Sequence, residues 1–391
     1  MKKIFLFLFI GVVFFSCENS QNKVERIGNL TIVHLKGNPY QIGYDYGKLL
    51  KPEIKTLVEK WKKDVEDTYN QDFDLVAKHF FSSTHFIKNA EKYNPELLEE
   101  IRGISDGSGI DYNTIFAFQM SEEIDALSDA LKATRCTSIS INKTDSTPTI
   151  LAQNMDPPLL FHGTPVLLHI TDDANNEKFI FTFPGFIGLC GLNSNGVGVT
   201  CNGISMLNHS SDGLPVSFIL RNLLDQKDEQ SAHECLKEMP VGVPQCFTIG
   251  GRLTARCFEC SANSKNLFYP FDNKNITLHT NFSISNRDFN TEYIELLKEY
   301  GKTVDSPYFC PRYFEAYHKI VEFNYDLNVQ NIKGILSSTE SDIYTISNEN
   351  TFGCLIMELS ESPVLHIAPG RPDSTEFITL RFNNPAAAAS L

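Results

Sequence analysis

The chain of 391 residues is 42% hydrophobic and 21% charged, as is typical of a globular protein. It carries 34 Lys and Arg residues against 48 Asp and Glu residues, which gives a formal net charge of −14, and the basic residues form no block. This balance argues against a nucleic-acid partner and leaves the substrate open.

The N-terminus has the pattern of an export signal. Two lysines precede an apolar run over residues 4–15, which is too short to span a membrane and ends in Ser16-Cys17. The ending is similar to a bacterial lipoprotein signal, so we expect a signal peptide over residues 1–17, a lipid on Cys17 and a polar tether over residues 18–28. The protein would then be lipid-anchored in the bacterial cell envelope, on the periplasmic side or at the cell surface. An ordinary cleaved signal is the alternative.

The first third of the chain is predicted to be mostly helical. After a strand at residues 30–35, apolar residues three and four positions apart indicate helices over residues 40–69, 73–93, 95–107 and 112–131. Pro52 is expected to interrupt the first of these helices.

From Cys136 onward, short alternating runs predict strands with a few helices between them. The predicted strands cover residues 166–170, 178–183, 187–192, 197–202, 248–257, 267–271, 278–281, 353–358, 364–367 and 377–382. No linker divides this mixture of α and β structure. We expect one domain over residues 29–384, with a helical segment 29–135 and a β segment 136–384, followed by an unstructured tail 385–391.

The stretch that begins at Cys136 predicts a hairpin, because two alternating runs flank a turn-rich connector. Pairing Ile141 with Thr149 sets Cys136 opposite Asn154, with Asp156 just beyond. A thiol, an amide and a carboxylate would then meet at the open end of the hairpin, which suggests a nucleophile with its support. The alternative is a cysteine that serves as a small buried apolar residue.

A second hairpin is predicted around residues 193–196, with the sequence Asn-Ser-Asn-Gly between two short strands. Glycines in these strands leave their surface bare, which often marks the close approach of a ligand or another backbone. Asn202 ends the second strand, where its amide can enter a pocket.

A cysteine nucleophile needs a base. One possible base is a histidine, and the candidates are His162, His169, His209, His279 and His366, none of which lies in a recognisable cysteine-protease signature. The other is the α-amine that Cys136 would gain if the Arg135–Cys136 bond were cut, since such an amine has a pKa of about 7.7–8.0. Asp156 would orient the amine, and the amides of Asn202 and Asn281 would donate to an oxyanion, at roughly 3–4 kcal/mol for each donor.

Two short motifs are discounted. Gly103 to Gly107 matches G-x-S-x-G, but the motif follows a helix instead of a strand. Cys257 and Cys260 form a C-x-x-C pair in a strand-like run, where their side chains point to opposite faces, and no second pair follows at zinc-site spacing. We expect no metal and no cofactor, and most of the ten cysteines to be free or buried.

Several stretches, in this order, resemble the acyl-coenzyme A:6-aminopenicillanic acid acyltransferase family (peptidase family C45), a group of N-terminal nucleophile hydrolases related to the choloylglycine hydrolases. The similar stretches are residues 37–47, 95–109, 136–138 (Cys-Thr-Ser), 153–156 (Gln-Asn-Met-Asp), 191–202, 279–281 (His-Thr-Asn), 306–313 and 368–370. The resemblance implies an α+β fold with four αββα layers and a precursor that cuts itself before Cys136. It implies that Cys136 is nucleophile and base, that Asp156 holds its amine, and that Asn202 and Asn281 stabilise the oxyanion.

The chain departs from the family pattern at some positions. Arg135 replaces the glycine of the fungal members, which weakens the expectation of self-cleavage, and Gln153 stands where the bile-salt enzymes have arginine. Gln153 and Asn154 are predicted to bind the substrate. Arg312 and Arg371 lie in similar stretches, where a purely structural role is an equal alternative.

The sequence thus predicts a membrane-anchored, self-processing amidase that cleaves a linear N-acyl amide through a Cys136 thioester. Hydrolysis is favoured over acyl transfer, because acyl-coenzyme A is not expected outside the cytoplasm. The alternatives are a catalytically silent binding module on the same scaffold and a histidine-assisted cysteine protease.

Overall fold

The computed structural model describes residues 22–128, 136–268, 275–305, 310–340 and 345–383. The strands are β1 Lys23–Ile27, β2 Leu30–Lys36, β3 Thr137–Ile141, β4 Thr149–Met155, β5 Val166–Thr171, β6 Glu177–Thr182, β7 Cys190–Asn193, β8 Gly198–Gly203, β9 Gln245–Gly250, β10 Ala255–Cys260, β11 Lys265–Phe268, β12 Ile276–His279, β13 Gly353–Leu359, β14 Val364–Ala368 and β15 Ile378–Arg381. The helices are α1 Pro39–Leu49, α2 Lys51–Tyr69, α3 Phe73–Ser83, α4 Phe86–Tyr93, α5 Pro95–Ser108, α6 Tyr112–Phe118, α7 Ser121–Ser128, α8 Val216–Leu224, α9 Glu229–Glu238, α10 Thr291–Glu299, α11 Pro311–Glu322 and α12 Val329–Leu336.

The signal peptide with Cys17, the residue Arg135 and the tail 385–391 lie outside the described residues. Within the described ranges, no helix has both the length and the apolar character needed to cross a membrane. Part of the expected tether is a strand, since β1 pairs antiparallel with β2.

The helical first third is confirmed, with more breaks than the sequence indicated. Pro52 lies in the first turn of α2, directly after the end of α1. The helix expected over residues 73–93 is two helices, because Thr84 is extended and the His85 nitrogen donates to Ser211 O at 2.8 Å. A tertiary hydrogen bond therefore replaces the helical one at this point.

The strands form two sheets. One has the order β1-β2-β5-β6-β7-β8-β9-β10-β11 and the other β12-β3-β4-β13-β14-β15. The pair β2 and β5 is parallel, and the other paired strands among the described residues are antiparallel. The larger sheet thus joins a strand from before Cys136 to strands that follow it.

The layers follow the order helix, sheet, sheet, helix. Helices α1, α8 and α9 contact the nine-stranded sheet, whereas α11 and α12 contact the six-stranded sheet. The two sheets face each other through β3 and β4 on one side and β8, β9 and β10 on the other. This is the α+β architecture with four αββα layers that the sequence resemblance implied.

The register of β3 and β4 differs by one residue from the predicted register. Ile141 pairs with Ile150 and Thr137 with Asn154, so extending the ladder places Met155 opposite Cys136. The connector is closed by a turn that the sequence does not specify. Since side chains alternate along a strand, the pairing of Cys136 with Asn154 is wrong and Asn154 points to the other face.

The strand predicted over residues 248–257 is a hairpin of β9 and β10. The Gly251 nitrogen donates to Thr254 O at 2.9 Å in the turn. Cys246 and Cys257 form a disulfide between the two strands, and seven other described cysteines are free.

The G-x-S-x-G stretch lies inside α5, where its glycines allow α1 to approach. A Cβ atom added to Gly43 would lie 1.8 Å from the Glu100 carbonyl oxygen, and one added to Gly103 would lie 2.2 Å from Tyr40 O. Gly107 is equally close to α1. The motif is therefore a helix-packing surface within α5 itself and does not follow a helix as expected, and no strand directly precedes it as a nucleophile elbow would require.

Candidate active site

Cys136 lies immediately before β3 and is 4% exposed. Its main-chain nitrogen donates to Asn281 Oδ1 at 2.6 Å, and its carbonyl oxygen accepts from Arg312 Nη1 at 2.6 Å. The backbone on both sides of the Cys136 Cα is thus held by side chains, one half-buried (Asn281) and one buried (Arg312).

Arg312, near the start of α11, links three groups at the site. Besides Cys136 O, its guanidinium donates to Thr137 Oγ1 at 2.7 Å and to Asn281 Oδ1 at 2.9 Å. Arg312 is only 4% exposed, although arginine is rarely so buried without a function or a partner. The sequence left its role open, and the structure places it in the site. Arg371, in contrast, is partly exposed and pairs with Asp373 at 2.9 Å.

Asn281 follows β12 and contacts the main chain of Cys136. Its Oδ1 accepts from Cys136 and Arg312, while its Nδ2 donates to Gly203 O at 3.1 Å. The side chain therefore orients the nitrogen of Cys136 in this structure. Its predicted contact with an oxyanion stays a prediction.

Asn202 offers a buried hydrogen-bond donor. It is 0% exposed on β8, and its Oδ1 accepts from Ser138 Oγ at 2.8 Å. Ser138 lies on the same face of β3 as Cys136, because the two residues are two positions apart. Asn202 Nδ2 has no hydrogen-bond partner within the described part of the chain. An unpaired buried donor of this kind suits an anion that forms during a reaction.

Asp156 follows β4, is 2% exposed and accepts from Asn348 Nδ2 at 3.2 Å. Burial, with the nearby charge of Asp156, raises the pKa of the Cys136 thiol to about 12. The Asp156 backbone and the Arg312 charge act in the opposite direction and do not reverse this shift. The thiol is therefore protonated at neutral pH, and a nucleophilic role would require a base.

The two predicted substrate contacts are buried side chains. Gln153 Nε2 donates to the Cys201 carbonyl oxygen. Asn154 Nδ2 donates to Leu336 O at 2.9 Å and to Ile346 O at 3.1 Å, on the face of β4 that is turned away from Cys136. Neither residue lines the cavity beside the thiol, so their contact with substrate stays a prediction.

A cavity of about 60 Å³ opens beside the Cys136 thiol. It is lined by Gln119, Glu122, Glu123, Cys136, Met155, Pro157, Phe186, Gly188, Leu189, Cys201, Gly203, Val216, Ser217 and Gln245. The described lining residues include no histidine. The five histidine candidates are therefore absent from the described wall of this cavity.

Glu122 and Glu123 were not recognised in the sequence. Burial raises the pKa of Glu122 to about 7, and burial together with the charge of Glu122 raises that of Glu123 to about 8. The signal in the sequence is weak: the two acids follow the mostly apolar run from Ile115 to Met120. Strongly shifted acids beside a cysteine are frequent in functional sites.

A possible set of metal ligands lies elsewhere. The ligand atoms of Cys246, Cys257 and His279 are all within 4.8 Å of one another. His279 Nε2 is 2.9 Å from Glu259 Oε1, and its Nδ1 is 2.7 Å from Thr280 O. Both ring nitrogens are thus engaged, and the two sulfurs are joined in the Cys246–Cys257 disulfide and offer no thiolate, so these groups do not fit a metal ion.

Comparison with known proteins confirms the resemblance found in the sequence. Residues 142–300 match the model of the acyl-coenzyme A:6-aminopenicillanic acid acyl-transferase family. This range contains Asp156, Asn202 and Asn281 and begins after Cys136.

Two curated relatives show the extent of the similarity. A protein of Archaeoglobus fulgidus, described as uncharacterized, is 25% identical over 244 residues, which are 56% of this chain and 41% of the relative. Protein dcd1A of Dictyostelium discoideum is 28% identical over 247 residues, which are 54% of each chain. The chain thus spans about half the length of the curated relatives it matches.

Among solved structures, penicillin V acylase from Agrobacterium tumefaciens aligns with a TM-score of 0.37 and 11% identity, covering 63% of this chain and 86% of the acylase.

Proposed function

We propose that the protein is a self-processing cysteine amidase, which becomes active when the Arg135–Cys136 bond is cut. The observation that carries the proposal is the position of Cys136 at the start of β3, where Asn281 Oδ1 binds its main-chain nitrogen and its thiol lines a cavity. A cysteine that is held at its nitrogen and its carbonyl oxygen and that lines a cavity suits a nucleophile whose own amine acts as the base. The similarity of residues 142–300 to an acyl-transferase family supports the same class of chemistry.

In the processing step, the Cys136 sulfur attacks the carbonyl carbon of Arg135. The carbon–nitrogen bond breaks, a thioester forms, and the thiol proton goes to the released α-amine. Water then hydrolyses the thioester, which leaves a carboxylate on Arg135 and a free thiol and amine on Cys136. Arg312 fixes the carbonyl of Cys136 and so keeps the nucleophile in place during both steps.

In the amidase reaction, the new α-amine takes the thiol proton as sulfur attacks the amide carbonyl of the substrate. The α-amine has a pKa of about 7.7–8.0 and can therefore act as a base near neutral pH. The thiol needs such a base, because its raised pKa prevents it from ionising by itself at this pH. Asn202 Nδ2 donates to the oxyanion. The α-amine passes its proton to the amide nitrogen, the carbon–nitrogen bond breaks, and the amine product leaves a thioester on Cys136. Water then hydrolyses the thioester, which releases the acid and restores the thiol. Export and lipidation at Cys17 stay predictions, and so does the identity of the acyl and amine groups.

The mass of the purified chain under denaturing conditions tests the proposal. We expect two fragments that meet between Arg135 and Cys136, a single uncut chain for Cys136→Ala, and normal processing for Cys190→Ala, which removes another buried free cysteine. An uncut wild-type chain would remove the α-amine base and leave the silent binding module or the histidine-assisted protease. N-acyl amides are then assayed with the processed form, with release of the acid as the readout.

A further inference from the structure

Two histidines, His34 and His169 (the imidazole pair), face each other across the parallel strands β2 and β5. They are register partners, and their Nδ1 atoms are 2.9 Å apart. The other nitrogen of each ring contacts a carboxylate: His34 Nε2 lies 3.0 Å from Glu25 Oε2 on β1, and His169 Nε2 lies 2.6 Å from Glu177 Oε2 on β6. The four side chains thus form one continuous row of polar contacts across four neighbouring strands.

This row joins chain from before Cys136 to chain from after it, because β1 and β2 precede Cys136 whereas β5 and β6 follow it. Its inner end is buried: the side chain of His169 is 7% exposed and that of Glu177 is 1% exposed. The main-chain and side-chain nitrogens of Asn383 also donate to Glu177 Oε2, at 3.2 Å and 3.4 Å, as suits an ionised carboxylate. In the low dielectric of such a site, a misplaced proton is costly.

The contacts fix the number of protons on the imidazole pair. Each Nε2 must carry a proton to donate to an ionised carboxylate, and the contact between the two Nδ1 atoms needs one donor and one acceptor. The pair therefore carries three protons, so that one ring is an imidazolium and the other a neutral imidazole. A fourth proton would set two N–H groups against each other at 2.9 Å and remove the hydrogen bond between the rings.

The site opposes this fourth proton. Burial, together with the nearby charge of His34, lowers the pKa of His169, and these effects outweigh the hydrogen bond and charge of Glu177, which act in the opposite direction. An unfolded histidine has a pKa of about 6.5, so the unfolded chain takes up the proton more readily than the folded chain. The stabilisation is therefore complete above about pH 6.5 and is lost as the pH falls from there towards the lowered pKa of His169.

Charged groups on the neighbouring elements add to this effect. Lys23 on β1 is the register partner of His34, and Lys36 lies two residues further along β2 on the same face. Both lysines oppose a further positive charge on the pair. Asp45 on α1, the helix that contacts β2, accepts from two side-chain amides. On the inner side, the ring of Phe179 packs against that of His169, with 4.8 Å between the centroids.

We propose that the imidazole pair is a pH-sensitive latch, which holds the strands before Cys136 to the strands after it near neutral pH and loosens when acid supplies a fourth proton. The latch requires neither cleavage of the Arg135–Cys136 bond nor amidase activity. An uncut chain would therefore refute the proposed processing and leave the latch to be tested on its own.

The pH dependence of unfolding tests the latch. Urea unfolding of the wild type, His34→Gln and His169→Gln is followed at pH 7.5, 6.5 and 5.5. As the pH falls, we expect the unfolding equilibrium constant of the wild type to rise more steeply than that of either variant, by up to about 10-fold per pH unit, since one more proton is bound on unfolding. Glutamine can still donate to the carboxylate but does not titrate, so each variant keeps a contact and lacks the fourth-proton step.

His366→Gln is the matched control, because His366 Nε2 also contacts a carboxylate, Glu358 Oε1, at 2.9 Å. Its Nδ1 faces the hydroxyl of Thr379 at 2.9 Å, which can accept a hydrogen bond, so a doubly protonated ring fits there. This variant should keep the pH dependence of the wild type. Equal pH dependence in the wild type and both latch variants would overturn the inference.

Hydrogen exchange in the wild type locates the effect and needs no variant that folds. After correction for the intrinsic pH dependence of exchange, the protection of amides in residues 31–36 and 166–171 should fall at least 10-fold between pH 7.5 and 5.5. Residues 353–359 and 364–368, which form β13 and β14 and include His366, are the internal reference and should change less than about 3-fold. Equal changes in the two regions, or no change in either, would refute the latch.

Discussion

The unpaired amide nitrogen of Asn202 is the residue-scale feature closest to the proposed chemistry. Leaving a buried donor without an acceptor costs about 1–3 kcal/mol, which an oxyanion would recover in the transition state. We predict that Asn202→Ala lowers kcat about 100- to 1000-fold with little change in KM, measured on a cleaved N-acyl amide.

Thr200→Val is the matched control for this change. Thr200 lies two residues away on β8, is 0% exposed, and its hydroxyl also has no partner among the described residues. Its isosteric replacement should leave kcat within about 3-fold of the wild type, since one buried hydroxyl without a partner contributes little. An equal loss in the two variants would mean that strand packing, and not the Asn202 amide, determines the rate.

Glu259 organises the chain next to Asn281. It is 0% exposed and accepts from the backbone nitrogens of Ile284 at 2.7 Å and Asn286 at 2.6 Å, as well as contacting His279. Burial alone would raise its pKa, but the hydrogen bond and charge of His279 and these backbone donors outweigh burial and lower the pKa to about 2. The carboxylate therefore stabilises the segment that carries Asn281.

This shift has a defined pH dependence. Because the folded-state pKa lies below the ordinary value of 4.5, the stabilisation is complete above about pH 4.5 and disappears as the pH falls towards 2. We predict that Glu259→Gln lowers the free energy of unfolding by on the order of 3 kcal/mol at pH 7 and that the gap from the wild type narrows below pH 4.5. Urea unfolding of the wild type and of Glu259→Gln at pH 7, 4 and 3 measures this difference in the free energy of unfolding. A gap that does not change with pH would show that the charge of Glu259 is not responsible.

At the scale of single elements, α1 and α5 are joined by glycines. The Cβ position of Gly43 is 1.8 Å from a backbone oxygen of α5, which a side chain cannot displace without moving a helix. We predict that Gly43→Ala lowers the free energy of unfolding by about 3 kcal/mol or more. Chemical denaturation of the purified variant gives the value.

Gly334→Ala, inside α12, is the control for helix propensity. No heavy atom lies within 4 Å of its added Cβ, so we expect this variant to be unchanged or stabilised by up to about 1 kcal/mol. If Gly43→Ala behaved in the same way, the close approach of the two helices would be refuted.

Helices and strands with a clear hydrophobic periodicity could be predicted from the sequence, but the pairing of the strands and their register could not. The alternation after Cys136 gave β3 and β4, yet the residue opposite Cys136 depended on the turn after Ile141, which no local pattern fixes. The resulting register error of one residue placed Asn154, in the prediction, on the same face of the hairpin as Cys136, which is the wrong face. The turn between β9 and β10 follows Gly250-Gly251, a glycine pair that is a typical turn signal and that the prediction of one strand over residues 248–257 did not take into account.

At the scale of the whole molecule, the two sheets pack where glycines face leucines. The Cβ positions of Gly198 and Gly250, on the nine-stranded sheet, lie 3.0 Å and 2.5 Å from methyl carbons of Leu359 on the other sheet. Leu359 is 0% exposed. The bare strand surfaces noted in the sequence thus serve, in part, the contact between sheets.

We predict that Leu359→Ala lowers the free energy of unfolding by about 2–5 kcal/mol, because the glycines opposite cannot fill the cavity it leaves. Leu253→Ala is the control, since Leu253 is 60% exposed and should change stability by less than about 0.5 kcal/mol. Urea denaturation of both variants gives the comparison. Similar values for the two changes would contradict the described packing of the sheets.

The layer order was predictable through family resemblance, whereas several site contacts were not. Asp156, Asn202 and Asn281 were predicted as site residues from motifs near Cys136 or in order with it. Glu122 and Glu123 were not predicted to line a cavity, because an acid pair in the first turn of a helix usually faces solvent and interacts favourably with the helix dipole. Only the tertiary packing of α7 against the cavity distinguishes the two cases.

The parallel pairing of β2 with β5 has a consequence for how the protein can be assembled. Six residue pairs, from Thr31 with Val166 to Lys36 with Thr171, join chain before Cys136 to chain after it. The buried ion pair of Glu100 with Arg221, at 2.7 Å, spans the same divide. Two polypeptides encoded separately, one ending at Arg135 and one beginning at Cys136, should therefore associate into a heterodimer whose melting temperature rises with concentration.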